Sequence, residues 1–238
     1  MSAALPSSAM NAWDRIRRPL WRRVLQWRFR LFQRQRYNRL ILEEVAGKPI
    51  LVLPQVFNPA LFTASQLLAR ALNPRLVPPG STVLDMGAGS GIGAVFAAQW
   101  AARVVAVDIN PEAVRCARIN VLLNRVDDRV EVVPGDLFGP VQDEQFDVVL
   151  FNPPFYRGAP RDALDQAWRS VDAVERFAAG LRRHLKPGGY ALVVLSSDGE
   201  AESFLQAFCA NRLDVEAVFQ RDVINELLTV YKLRDAEC

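Results

Sequence analysis

From Ser81 onward the chain alternates between short runs that are apolar throughout and longer stretches with helical spacing. TVLDMG, RVVAVDIN, VEVVPGD, FDVVLFN and YALVVLS read as strands; GAVFAAQWA, PEAVRCARINVLLN, Asp165 to His184 and Glu200 to Asn211 read as helices. A strand with no polar side cannot face water on either surface, so such strands separated by helices imply a mostly parallel sheet covered on both faces. DVEAVFQRD and ELLTVYKLR near the end fit a closing antiparallel pair. In an open α/β sheet of this doubly wound kind, ligands lie outside the carboxyl ends of the strands, at the point where the strand order reverses.

Those ends carry the polar residues. LDMGAGSGIG places Asp85 ahead of Gly87, Ala88, Gly89, Gly91 and Gly93, where backbone can approach a ligand and a helix N-terminus offers free N–H groups. Gly89 to Ala94 also fits G-x-G-x-x-A, which keeps a nicotinamide enzyme in view. Asp108 closes the next strand, where a carboxylate accepts the hydroxyls of a ribose. Asp136, after the third, is placed to accept from an adenine amino group beside Leu137. A fourth strand runs directly into Asn152-Pro153-Pro154-Phe155, which joins an amide, a rigid turn and an aromatic face.

The 238 residues are half hydrophobic, enough to bury one sizeable core. Three cysteines without ligand-like spacing point to a reducing, cytoplasmic setting and away from a disulfide framework or a metal site. No apolar run approaches the roughly 18 residues of a membrane span, and the first dozen residues hold no signal-peptide core. Charge is unevenly placed: residues 1–50 hold 11 Lys and Arg against three acids, the rest 18 against 23. From Leu20 to Val45, apolar residues at helical spacing interleave with arginines, which predicts a basic amphipathic helix. Such a helix suits RNA phosphates, an acidic partner or an anionic membrane surface, or else packs its apolar face on the body and leaves its arginines solvated. An Arg-rich, acid-poor start is also the composition of an organellar transit peptide. The expected organisation is a basic helical extension over residues 1–46, a lead-in hairpin and helix over 47–79, and one α/β domain over 80–238.

Asp85 to Gly91, VDINPEA from Val107, Asp136-Leu137 and Asn152-Pro153-Pro154-Phe155 together resemble a class I S-adenosylmethionine-dependent methyltransferase with a Rossmann-like fold. More narrowly, they are similar to the branch that acts on planar nitrogens through an [N/D/S]-P-P-[F/Y/W] motif. HemK-type protein glutamine methyltransferases and several RNA and DNA base methyltransferases belong to that branch. The resemblance covers about Val56 to Leu233, and GKPILVLPQVFNPALFT is similar to the hairpin and following segment of HemK-like proteins. It implies S-adenosyl-L-methionine as cofactor, held by Thr63, Asp85, Gly87, Ala88, Gly89, Gly91, Asp108, Ile109, Asp136, Leu137 and Asn152. It also implies that Asn152, Pro153, Pro154 and Phe155 carry the chemistry, the Asn152 oxygen and Pro153 carbonyl accepting from the two hydrogens of a conjugated nitrogen while Phe155 stacks on its plane.

The sequence departs from the HemK pattern in having Phe62 before Thr63 where an acid is usual, and Phe155 where glutamine methyltransferases carry Tyr. Tyr156, Arg157 and Arg161 lie just past the motif, where they either shape a substrate mouth or belong to a solvated loop, and His184 sits in an ordinary position near a helix end. The leading expectation is methylation of a protein glutamine amide. The alternatives are an adenine or guanine amino group in RNA or DNA, a small-molecule nitrogen, and a non-catalytic cofactor-binding interaction module.

Overall fold

A computed structural model describes residues 39–59, 63–162, 164–223 and 226–236. Ile41–Val45 (β1) and Lys48–Val52 (β2) form an antiparallel hairpin. It turns at Ala46 and Gly47, both at positive φ, the pair of conformations that matches strand twist in a two-residue loop. Thr63–Ala71 (α1) follows. The alternating part then runs Thr82–Met86 (β3), Ile92–Ala97 (α2), Arg103–Asp108 (β4), Pro111–Leu123 (α3), Val130–Pro134 (β5) and Phe146–Phe151 (β6). Two short strands, Tyr156–Arg157 (β7) and Arg169–Ser170 (β8), precede Ala173–Leu181 (α4), Leu185–Ser196 (β9), Ala201–Ala210 (α5), Leu213–Val223 (β10) and Glu226–Asp235 (β11).

The expected sheet is present: seven strands in the order β10-β11-β9-β6-β3-β4-β5, all parallel except β11, which is antiparallel to both its neighbours. Successive residues of each central strand alternate between two cores. Val83, Val104, Val148 and Leu150 face α1, α2 and α3; Leu84, Met86, Val107 and Phe151 face α4 and α5. The strand order reverses at β3 and β6, so the switch point lies between the glycine loop and the Asn-Pro-Pro turn. Among the described residues no helix is long and apolar enough to cross a membrane.

Three local expectations are corrected. The predicted helix from Leu20 cannot reach Val45, because residues 41–45 are β1: Ile41, Glu43 and Val45 turn inward while Leu42 and Glu44 turn out, a period of two. Residues 20–38 of that helix lie outside the described residues. The extended piece expected at Gln55 to Phe57 is a turn with Gln55 at φ +63°. The helix expected over Asp165 to His184 is interrupted: a 3₁₀ turn covers Asp165–Ala167, β8 pairs with β7, and α4 starts only at Ala173. Ser170 Oγ accepts the Ala173 N–H at 3.0 Å and so marks the true start of α4.

The hairpin is held to the domain by a row of side chains one turn apart on α3. Cys116 Sγ donates to the Leu51 carbonyl at 3.2 Å, and Asn124 Nδ2 donates to the Pro49 carbonyl at 2.9 Å. Between them the buried Asn120 accepts the Leu51 N–H at 2.7 Å and donates to the carbonyls of Leu51 and Ser90 at 2.7 and 2.8 Å. A side-chain amide thus stands in for a neighbouring strand along the open edge of β2, and it also ties the glycine loop to the hairpin. Asn120→Leu strips partners from buried backbone groups and is expected to cost about 3 kcal/mol in urea unfolding. A loss below about 0.5 kcal/mol would mean that these groups find other partners.

Candidate active site

A cavity of about 250 Å³ opens at the switch point, outside the ends of β3, β4, β5 and β6. Its floor is the turn from Gly87 to Ser90, and its far wall is Asn152 and Pro154. Phe57 and Ser65 close one side; Gln166, Arg169, Ser170 and Arg176 close the other. Phe57 and Trp168 meet with ring centroids 5.4 Å apart, joining the segment after the hairpin to the segment before β8.

Most residues singled out from the sequence are brought together here. Asp85, Gly87, Ala88, Gly89, Asp108, Ile109, Asp136, Leu137, Asn152 and Pro154 all line the cavity. Thr63, Gly91, Pro153 and Phe155 do not. Thr63 opens α1, and its helix offers Ser65 and Leu68 to the wall instead. Gly91 stands at φ +79° where an added Cβ would meet Ala117 Cβ at 2.9 Å, so it serves packing of α2 on α3. Phe155 is partly buried against the hydrophobic core; its carbonyl accepts the Glu200 N–H at 2.9 Å, and a Cβ on Gly199 would come within 2.6 Å of that carbonyl oxygen. The backbone of the tetrapeptide is therefore braced from behind, and the phenyl rings that line the cavity are those of Phe57 and Phe151.

The acids differ in their surroundings. Asp85 is buried, and Oδ2 accepts the Ala94 N–H at 2.7 Å. Gly93 has no room for a side chain, because a Cβ would fall 2.6 Å from Asp85 Oδ1. Burial pushes the Asp85 carboxyl up to about 7; the Ala94 N–H draws it back, and the Asp108 charge adds to the rise. Asp108 accepts the Gly89 N–H at 2.7 Å and the Asn110 N–H at 2.8 Å, which ties the glycine loop to the end of β4. Its carboxyl is also raised by burial, with the N–H groups of Asn110, Gly89 and Ile109 opposing. Asp136 is half exposed and pairs with Arg176 Nη2 at 2.5 Å.

Asn152 differs from every other polar group in the wall. Its Nδ2 donates to Ser65 Oγ at 2.9 Å, which fixes the amide plane. Its Oδ1 is buried and has no hydrogen-bond partner among the described residues. Ser65, Phe57, Gln166, Arg169 and Arg176 were not foreseen from the sequence. Ser65 alone had a usable signal, its place on the cavity-facing side of α1 one helical turn before Leu68.

A family model described as methyltransferase small domain matches residues 49–221. A release factor glutamine methyltransferase of Geobacter sulfurreducens is 33% identical over 181 residues, which cover 70% of this chain and 62% of that protein. A putative protein N5-glutamine methyltransferase of Methanocaldococcus jannaschii is 32% identical over 170 residues, covering 67% and 82%. Among solved structures, the T. thermophilus 16S rRNA N2 G1207 methyltransferase in complex with AdoMet and guanosine has a TM-score of 0.59 at 25% identity. That match covers 82% of this chain and 50% of the other. The chain therefore spans less than two thirds of the Geobacter relative and half of the T. thermophilus one.

The raised Asp85 carboxyl makes stability pH-dependent in the ligand-free protein. Between its ordinary value of 3.8 and about 7 the folded chain keeps a proton that the unfolded chain has released, so this contribution is complete at low pH and is lost as pH climbs to about 7. Asp85→Asn keeps an acceptor for Ala94 without the charge. It is expected to flatten the fall in unfolding free energy between pH 4 and 7 relative to wild type, measured by chemical denaturation at each pH. Parallel curves would show that Asp85 does not titrate in that range.

Proposed function

This chain belongs to the methyltransferase small domain family, and on that premise we propose that it methylates a planar nitrogen from S-adenosyl-L-methionine, with a protein glutamine amide as acceptor. The observation that carries this reading is the orphaned Asn152 Oδ1. An unpartnered acceptor in the interior costs about 1–3 kcal/mol, and an incoming N–H removes that cost. Ser65 holds the amide in one orientation, so the acceptor oxygen is in place before any substrate arrives.

The residues present fit the cofactor. Asp108 ends β4 and Ile109 follows it at the ribose position, Asp136 and Leu137 follow β5 at the adenine position, and the Gly87–Gly89 backbone runs past the methionine position. When bound, S-adenosylmethionine supplies a methyl carbon on a sulfonium that departs as a neutral thioether. The chain's own task is to make a poor nucleophile competent. Asn152, which lines the cavity, takes one hydrogen of the acceptor nitrogen on Oδ1, which draws its lone pair out of conjugation and toward the methyl group. The two prolines keep that acceptor rigid, and Phe57, backed by Trp168, contributes an apolar ring to the cavity wall. The nitrogen gives up one hydrogen as a proton to solvent.

Glutamine is favoured by relatives of that specificity at 33% and 32% identity. A second reading, the amino group of adenine or guanine in RNA, is favoured by the guanosine in the T. thermophilus neighbour and by the 11 basic residues among the first 50. In that reading the arginine segment grips phosphates; in the first it meets an acidic partner or an anionic membrane surface. The buried Cys116 and exposed Cys209, both unpaired, suit a cytoplasmic setting.

The deciding experiment is transfer of labelled methyl from S-adenosylmethionine into a fractionated lysate, followed by nuclease or protease digestion. Label lost to protease and retained after nuclease supports glutamine, and the reverse assigns an RNA or DNA base. Label in neither polymer points to a small molecule, and no transfer by a cofactor-loaded protein makes the domain a binding module. Asn152→Ala is expected to lower turnover about a hundredfold or more while cofactor affinity stays within a few fold; weakened cofactor binding with intact turnover would remove Asn152 from the chemistry.

A further inference from the structure

We propose that Arg176 is a positioning residue for the adenine end of the cavity: its guanidinium orients the Asp136 carboxylate, and so enforces preference for a 6-amino purine. The inference rests on the reading of Asp136 as the adenine acceptor given above.

Arg176 lies on α4 and Asp136 follows β5, and both residues line the cavity. Arg176 Nη2 binds Asp136 Oδ2 at 2.5 Å, and Nη1 stands 3.9 Å from Asp172 Oδ1. The guanidinium fork is thus spread between two acids, which fixes its plane. Both partners of the Asp136 pair are about half exposed. A pair so open to solvent adds about 0–1 kcal/mol to stability; what it imposes is geometry.

The geometry matters because Asp136 stands in a constrained turn. Leu137, next to it, is held at φ +48°, a conformation that side chains of its size rarely adopt, and the Gly139 N–H closes on the Asp136 carbonyl at 3.0 Å. The backbone is fixed, but a half-exposed carboxylate on it turns freely unless something holds one oxygen. Arg176 holds Oδ2, leaving Oδ1 to accept an amino N–H. A 6-oxo purine offers a lone pair at that position and is repelled.

The test is calorimetric titration of wild type, Arg176→Met and Asp136→Ala with S-adenosylhomocysteine and its 6-oxo counterpart, S-inosylhomocysteine. Methionine keeps an apolar stem in the wall without the cation. Wild type is expected to prefer the 6-amino ligand by about 10- to 100-fold, the worth of one hydrogen bond to a charged group. Arg176→Met and Asp136→Ala should each reduce that ratio to about threefold or less, with melting temperatures close to wild type. Equal weakening of both ligands by Arg176→Met, or tighter binding of the 6-amino ligand, would overturn the positioning role. Loss of preference in Asp136→Ala with full preference in Arg176→Met would overturn Arg176 alone. A wild type without preference would overturn the reading of Asp136 as well.

Discussion

Asp85 accepts the Ala94 N–H from inside the molecule, and that bond decides where α2 begins and how the loop before it must run. A helix starting so close to a strand end leaves only a short turn between them. The carboxylate fills the space a side chain at position 93 would need, so that residue is glycine. The turn then leans on Asp108 through the Gly89 N–H and on α3 through the close approach of Gly91 to Ala117. Each neighbour of the loop is thereby tied to a different strand or helix of the sheet. The cavity floor inherits the rigidity of the whole parallel core.

Two kinds of unfavourable group sit in this cavity. The carboxyls of Asp85 and Asp108 are deprived of water and pushed upward, and Asn152 Oδ1 has no partner among the described residues. Elsewhere the chain pairs its polar groups with care: the open edge of β2 is closed by three side chains of one helix, and Asp147 gathers Thr82 and Lys186 around one oxygen. Ser81 Oγ and His184 Nε2 are also buried without a partner among the described residues but lie outside the cavity, so what sets the cleft apart is that Asn152 Oδ1 shares it with two raised carboxyls.

The strand ends were legible in the sequence because each is an apolar run stopped by one polar residue, and a parallel sheet brings all such stops to one edge. Asp85, Asp108, Asp136 and Asn152 could be placed together on that basis alone. Pairings across the fold had no local signature. Asn120 looks like any polar residue on a helix, yet it reaches Leu51, 69 positions earlier; Ser65 meets Asn152 across 87. The surroundings of Phe155 were hidden for a related reason. The motif implies an aromatic face for the substrate, but the bond from Glu200 and the closeness of Gly199 belong to a loop far along the chain. The break between Asp165 and α4 was hidden because residues 165–184 have a composition a helix tolerates, and only the pairing of β7 with β8 excludes it.

That pairing has a wider consequence. Tyr156 and Arg157 lie directly after the Asn-Pro-Pro-Phe turn, and their partners Arg169 and Ser170 lie directly before α4. Arg157 is also anchored to Glu175 and Ser203. The segment between, residues 158–168, leaves and rejoins the body through a two-residue clamp, so a change in its length or composition is absorbed before it reaches the turn. A scaffold arranged in this way can vary the segment beside the cavity while the Asn-Pro-Pro turn stays fixed, which separates what can change in the wall from what must hold its place.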